Sequence, residues 1–168
     1  MANLKNSQKM FLNKIDELTK EQKIHLRKSL GRPLTCGTTA WWTYTSLSAP
    51  VQSEEERQIY FFVSCVAALQ GDSKGNLDVG SCLRIARHAV GDSESFGNKI
   101  VSLARMHPDR YGNFEKRLAS LFQKEVLQRM DTEELLYDLL HWGHPERFVQ
   151  DKWAKAIFAN DGIENLDD

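Results

Sequence analysis

The stretch "LLYDLLHWGHPERFVQDKWAKAIF", residues 135–158, decides the fold: two runs with apolar residues three and four apart flank a Gly-His-Pro break. The first run begins upstream at "MDTEE", where Asp131 and Glu134 stand in capping positions. Its period puts Leu135, Leu136, Leu139, Leu140 and Trp142 on the buried side of a helix that Gly143 ends. Pro145 suits the first turn of the next helix, on which Phe148, Val149, Trp153, Ala156 and Ile157 form a second stripe. The spacing predicts a helix hairpin joined by "GHPE", with both tryptophans in its core.

The same stretch also invites a metal reading, because His141 and His144 stand three apart. They straddle the glycine break, and no cysteine or third histidine lies near them, so neither a metal nor any other cofactor is expected. The chain has no phosphate-cradling glycine loop, no H-E-x-x-H and no G-x-S-x-G. The carboxylates of "SEEER" and "MDTEE" are accounted for by helix capping and the helix dipole. Hence no enzyme is expected. Cys36, Cys65 and Cys82 are odd in number and lack metal-knuckle spacing, which predicts reduced, mostly buried thiols.

Helical periods recur along the rest of the chain. "MFLNKIDELTKEQKIHLRKSLG" places Phe11, Ile15, Leu18, Gln22 and Leu26 on one stripe and reads as one helix ending at Gly31. "TTAWWTYTSL" has strand-like residues but no partner run, so a short helix or packed turn is expected. "SEEERQIYFFVSCVAALQG" opens on the capping pair Ser53 and Glu56 and reads as a buried central helix closed by Gly71. "LDVGSCLRIARHAV" follows as a short helix carrying Arg84 and Arg87, and "GDSESFGN" looks like a domain boundary. Beyond it a helix runs from Lys99 to Met106, stopped by His107-Pro108, and another from about Asn113 to Met130. The expectation is an all-α protein of two small packed bundles, residues 1–92 and 93–160, followed by an acidic tail, 161–168.

At 168 residues and 41% hydrophobic, the chain can bury a domain core. Its longest apolar run, Tyr60 to Leu69, is about half a membrane span, and its start lacks the apolar core of a signal peptide, so a cytoplasmic protein without membrane contact is expected. The net charge of −1 hides a pattern. The tail holds Asp161, Glu164, Asp167 and Asp168 and no base, leaving 22 bases against 19 acids in residues 1–160. Residues 1–32 hold eight bases against three acids, and residues 99–129 hold seven against three. Charge alone also fits solvated helix faces.

"MDTEELLYDLLHWGHPERFVQDKWAKAIF", residues 130–158, resembles the closing signature of the CasB family, the small subunit of the type I-E CRISPR Cascade surveillance complex. "HLRKSLG", "ALQG", "DVGSCL", "NKIVSLARM" and "FEKRLASL" resemble further family segments in the same order, the N-terminal third being the loosest match. The resemblance implies a non-catalytic protein paired with a second copy of itself among the other Cascade subunits. It implies contacts to the guide RNA–target DNA hybrid and to the displaced single-stranded DNA, stabilising the R-loop. Such contacts go to phosphates and read no sequence. Matched position by position, the family's basic positions fall on Arg27, Lys28, Arg57, Lys99, Arg105, Arg110 and Arg117, with Lys116 adjacent. After Gly143, where relatives carry a run of bases, this chain has His144, Pro145 and Glu146 before Arg147. The alternative from the residues themselves is an all-α adaptor that binds only proteins.

Overall fold

Ser53 opens the longest helix, α4 (Glu54–Gln70), its side chain accepting a hydrogen bond from the Glu56 amide at 3.1 Å. Eleven of the seventeen α4 residues are buried, Gln58 to Leu69 almost without break, so the other helices pack around it. This arrangement comes from a computed structural model, which describes residues 3–91 and 94–158. The acidic tail, 161–168, lies outside the described residues, as do Asp92 and Ser93 of the expected boundary segment.

Among the described residues the order is α1 (Asn6–Asp16), α2 (Lys20–Lys28), α3 (Thr39–Ser46), α4, α5 (Val79–Ala89), α6 (Glu94–Arg105), α7 (Asn113–Ala119), α8 (Lys124–Leu127), α9 (Thr132–Leu140) and α10 (Phe148–Phe158). The protein is all-α. One isolated bridge, Leu77 to Met130, ties the α4–α5 connection to the α8–α9 turn. Gln70 reinforces it, donating to the Leu127 and Met130 carbonyls and accepting from the Gly75 amide.

The closing hairpin forms as its pattern predicts. Asp131 caps α9 by accepting from the Glu133 and Glu134 amides at 2.9 and 3.2 Å. Trp142 and Trp153 are each 2% exposed and meet edge to face at 5.0 Å. Trp142 Nε1 donates to the Met106 carbonyl and Trp153 Nε1 to Asp138 Oδ2. α10 begins at Phe148, three residues beyond Pro145, because Arg147 takes a left-handed φ of 54° and holds the turn open.

Four local readings are corrected. The expected boundary segment "GDSESFGN" is helical from Glu94, so α6 starts five residues before the expected Lys99. The first basic stretch is two helices: Thr19 and Gln22 form a reciprocal capping box that starts α2 inside the expected single helix. The helix expected from Asn113 to Met130 breaks after Ala119 and resumes as α8, since Leu121 and Phe122 turn into the core between them. Cys36 is exposed on the α2–α3 connection, whereas Cys65 and Cys82 are buried and their thiols are pushed up, chiefly by burial, the Cys82 thiol to about 12.

The apolar core is one continuous cluster. α2 and α9 pack on α4, and α10 packs along α5, so helices from the two ends of the chain share the interior. A β-carbon at Gly80 in α5 would collide with the Ala156 methyl of α10, and only glycine lets these helices meet so closely.

Candidate nucleic-acid interface

The turn after α2 determines where the first basic residues point. Gly31, at φ 75°, reverses the chain, and a β-carbon there would stand 3.2 Å from the Ala119 Cβ of α7. The end of α2 is thereby set against α7 and α8, leaving a groove of about 630 Å³ between them. Arg27 and Lys28 from α2, Lys116 from α7 and Lys124 from α8 line it, over a floor that includes Ile24, Leu30, Phe122 and Leu127. All four cations are exposed. Arg27 Nε is anchored to the Ala68 carbonyl of α4 at 2.8 Å, which fixes its guanidinium at the groove wall. No carboxylate lines this groove, and none of the four cations forms an ion pair among the described residues. The positive field of the groove is therefore not offset by a carboxylate in its lining.

A second group lies on the other side of α7. Arg117 Nη1 reaches Ser102 Oγ of α6 at 3.4 Å, and Ser102 stands one turn from both Lys99 and Arg105, all three cations being exposed. The side chain of Arg147 joins them by donating to the Ala104 carbonyl. Adjacent residues of α7, Lys116 and Arg117, thus face the groove and the α6 surface respectively.

Gln58, next to Arg57 on α4, donates its side-chain amide to the Arg110 carbonyl at 3.2 Å and accepts from the Leu34 amide at 3.1 Å. Arg57 is partly spent, since it pairs with Glu54 at 3.6 Å one turn away on α4. Of the eight candidates, then, Arg27, Lys28 and Lys116 converge on one groove and Lys99, Arg105 and Arg117 on the α6–α7 face. Arg57 and Arg110 stand apart from both.

Two cations were missed by sequence reasoning. Lys124 is counted in the basic stretch but matches no family position, and its place in the groove follows from the α7–α8 break. Arg147 lies where the chain departs from the family's run of bases, yet its left-handed turn carries it to α6. Arg84 and Arg87 are occupied structurally, Arg84 with Ser81 and Arg87 with the Ile157 carbonyl.

One buried carboxyl lies under this surface. Glu115, beside Lys116 on α7, is 3% exposed, and both its oxygens lack a hydrogen-bond partner. Burial raises its pKa to about 7, and the Asp109 charge adds to the shift. Among the described residues no group of three or more His, Cys, Asp or Glu could hold a metal ion, and His141 Nδ1 is instead 2.7 Å from the Tyr137 carbonyl. No helix among these residues is long and apolar enough to cross a membrane.

The model of the family described as CRISPR-associated protein Cse2 matches residues 25–158, which contain every candidate cation. The chain belongs to the Cse2 family. This is the CasB family of the resemblance drawn from the closing helices, that of the type I-E Cascade small subunit. The Cse2 protein of Thermus thermophilus is 28% identical over 107 residues, 63% of this chain and 59% of that relative's length. The crystal structure of a Cse2-family CRISPR-associated protein from the same organism shares the fold, with a TM-score of 0.67 at 21% identity over 93% of this chain and 99% of that one.

Proposed function

We propose that this Cse2-family protein is a non-catalytic subunit of a type I-E Cascade complex that holds DNA backbone and so stabilises the R-loop. In this reading the two bundles, 1–92 and 93–160, act as one body alongside the other Cascade subunits and a second copy of the chain. The ligands are the guide RNA–target DNA hybrid and the displaced single strand. The observation that carries the reading is the convergence of Arg27, Lys28, Lys116 and Lys124 on one groove without a facing carboxylate. Lys99, Arg105 and Arg117 extend the cationic surface across α7. Exchange of DNA pairing for RNA–DNA pairing is nearly balanced in energy, so a few phosphate contacts suffice to tip it. A subunit held in an assembly gains affinity through effective concentration and need not be strongly basic overall.

The test is a salt titration of R-loop formation by complexes containing either the natural chain or Arg105→Ala with Arg117→Ala. Each single-strand phosphate contact is worth a log-log slope of about −0.7, so the double variant should flatten the dependence by about 1.4 and weaken all matched targets alike. Equal slopes and affinities at equal subunit content would remove both arginines from the interface. The adaptor reading draws on Trp42, 64% exposed on α3; loss of the subunit from the complex on Trp42→Ala, with the salt slope untouched, would favour it.

A further inference from the structure

An indole 64% exposed, as Trp42 is on α3, is ordinary for a single surface ring, but its surroundings are not. α2 and α3 leave a shallow cleft of about 310 Å³ between them, with Trp42 as its aromatic wall. Trp41 meets that ring edge to face at 4.7 Å and 79°, which holds its orientation. Every other side chain lining the cleft can form hydrogen bonds. Thr43 is the most buried of them: the residue is 5% exposed, and its hydroxyl has no hydrogen-bond partner among the described residues. Gln22 is held in the α2 capping box, its Oε1 accepting from the Thr19 amide at 2.9 Å, so its amide nitrogen remains as a donor. Glu21 supplies an acceptor, exposed and 4.0 Å from His25 Nε2.

This lining discriminates between ligands. A phosphate is repelled by Glu21, and an apolar protein anchor would cover Thr43 and Gln22 without satisfying them. A lysine or arginine side chain could use Trp42 and Glu21 but would face the Gln22 donor. An unpaired nucleobase uses all of them. Its face stacks on an indole, and its edge offers acceptors to Gln22 and Thr43 and, in cytosine, adenine or guanine, an amino group to a carboxylate. Bases within a helix are excluded, because both their faces are already stacked. The cleft also adjoins the cationic groove: His25 lines the one, and Lys28, a turn further along α2, lines the other.

We propose that the α2–α3 cleft binds an unpaired nucleobase, stacked on Trp42 with its edge on Glu21, Gln22 and Thr43, while the adjoining phosphates run to Lys28 and the α2–α7–α8 groove. The base site stands on the chemistry of the cleft itself; the path of the phosphates rests on the reading of the groove as a DNA-binding surface. Such a site takes the displaced single strand and not the paired hybrid, whose bases are turned inward and stacked.

The experiment titrates a short oligodeoxycytidylate, and an abasic strand of the same length, against the full chain and its variants. Trp42→Ala should weaken the base-bearing strand about five- to hundredfold, as loss of one stacked base does, and leave the abasic strand and the salt slope unchanged. Trp42→Phe, which keeps an aromatic face, should retain most of the affinity. Equal affinities of the natural chain and Trp42→Ala for the base-bearing strand, or an equal loss on both strands, would overturn the base site. Lys28→Ala with Lys116→Ala reports on the groove, and should weaken both strands and flatten the salt slope by about 1.4. A Trp42 effect without a lysine effect would keep the base site and sink the groove reading; a lysine effect without a Trp42 effect would do the reverse. A natural chain that binds neither strand at low salt would overturn the base site and leave the groove reading to the R-loop titration. Full strand binding by Trp42→Ala, with loss of the subunit from the complex, would make the indole a protein contact.

Discussion

The α9–α10 hairpin and α7 each bury one carboxylate, and they treat it in opposite ways. Asp138 of α9 is fully buried but accepts from Trp153 Nε1 and from Lys152 Nζ, both at 2.6 Å, while Lys152 also reaches Glu134 at 3.2 Å. Glu115 of α7 is as deeply placed and has no partner. In the hairpin, charge is consumed internally and ties two helices together. In α7 the nearest bases in sequence, Lys116 and Arg117, point outward, and the acid beneath them is left uncompensated. Buried charge stabilises a fold only when its partners are supplied, so the hairpin carboxylate helps hold two helices together, whereas the carboxyl on α7 costs stability once ionised.

The largest expected effect is on the hairpin. Trp153→Ala should cost roughly 3 to 5 kcal/mol in equilibrium denaturation, because it removes a buried ring and one of the two donors to Asp138. A loss below about 1 kcal/mol would mean the ring does not hold α10 to α9.

Glu115 comes next. Its folded-state pKa of about 7 lies above the ordinary 4.5, so the folded protein disfavours the carboxylate. That penalty is absent below about pH 4.5, grows as the pH rises towards 7, and is constant above. Glu115→Gln should therefore remove up to about 3 kcal/mol of pH dependence between those values. Identical stability–pH profiles for variant and natural chain would erase the contrast with Asp138.

Lys152→Met keeps the apolar stem and deletes the charge. Lys152 is itself 45% exposed, so about 1 to 2 kcal/mol of destabilisation is expected in place of the full cost of a broken buried pair. Last, Lys116→Ala combined with Lys124→Ala should leave stability within about 0.5 kcal/mol, since both cations are exposed and form no ion pair among the described residues. A clear drop in the melting temperature of that variant would make the groove lysines structural.

Much of the fold was legible because its signals are local. Ser53 with Glu56, and Asp131 with the leucine stripe behind it, mark helix starts that the structure reproduces. The break at Thr19 was equally written in the chain, as a Thr-x-x-Gln capping box, but the apolar stripe from Phe11 to Leu26 runs straight across it and conceals it. The break after Ala119 has no comparable signal: Leu121 and Phe122 keep the helical period while the backbone turns to bury them. The basic stretches were visible as composition, yet which cations meet was not.

The sequence by itself determined that the chain is helical, that Trp142 and Trp153 are core, and that cations concentrate in residues 1–32 and 99–129, because period, caps and charge counts depend on neighbours a few residues apart. Only the tertiary structure decided that Arg27 and Lys28 face Lys116 and Lys124 across one groove, that Arg57 is partly neutralised by Glu54, and that Glu115 is buried alone. Each of these follows from how α2, α4, α7 and α8 pack, with contacts such as Gly31 to Ala119 that join residues far apart in the chain, and side-chain packing of that range leaves no period in the sequence.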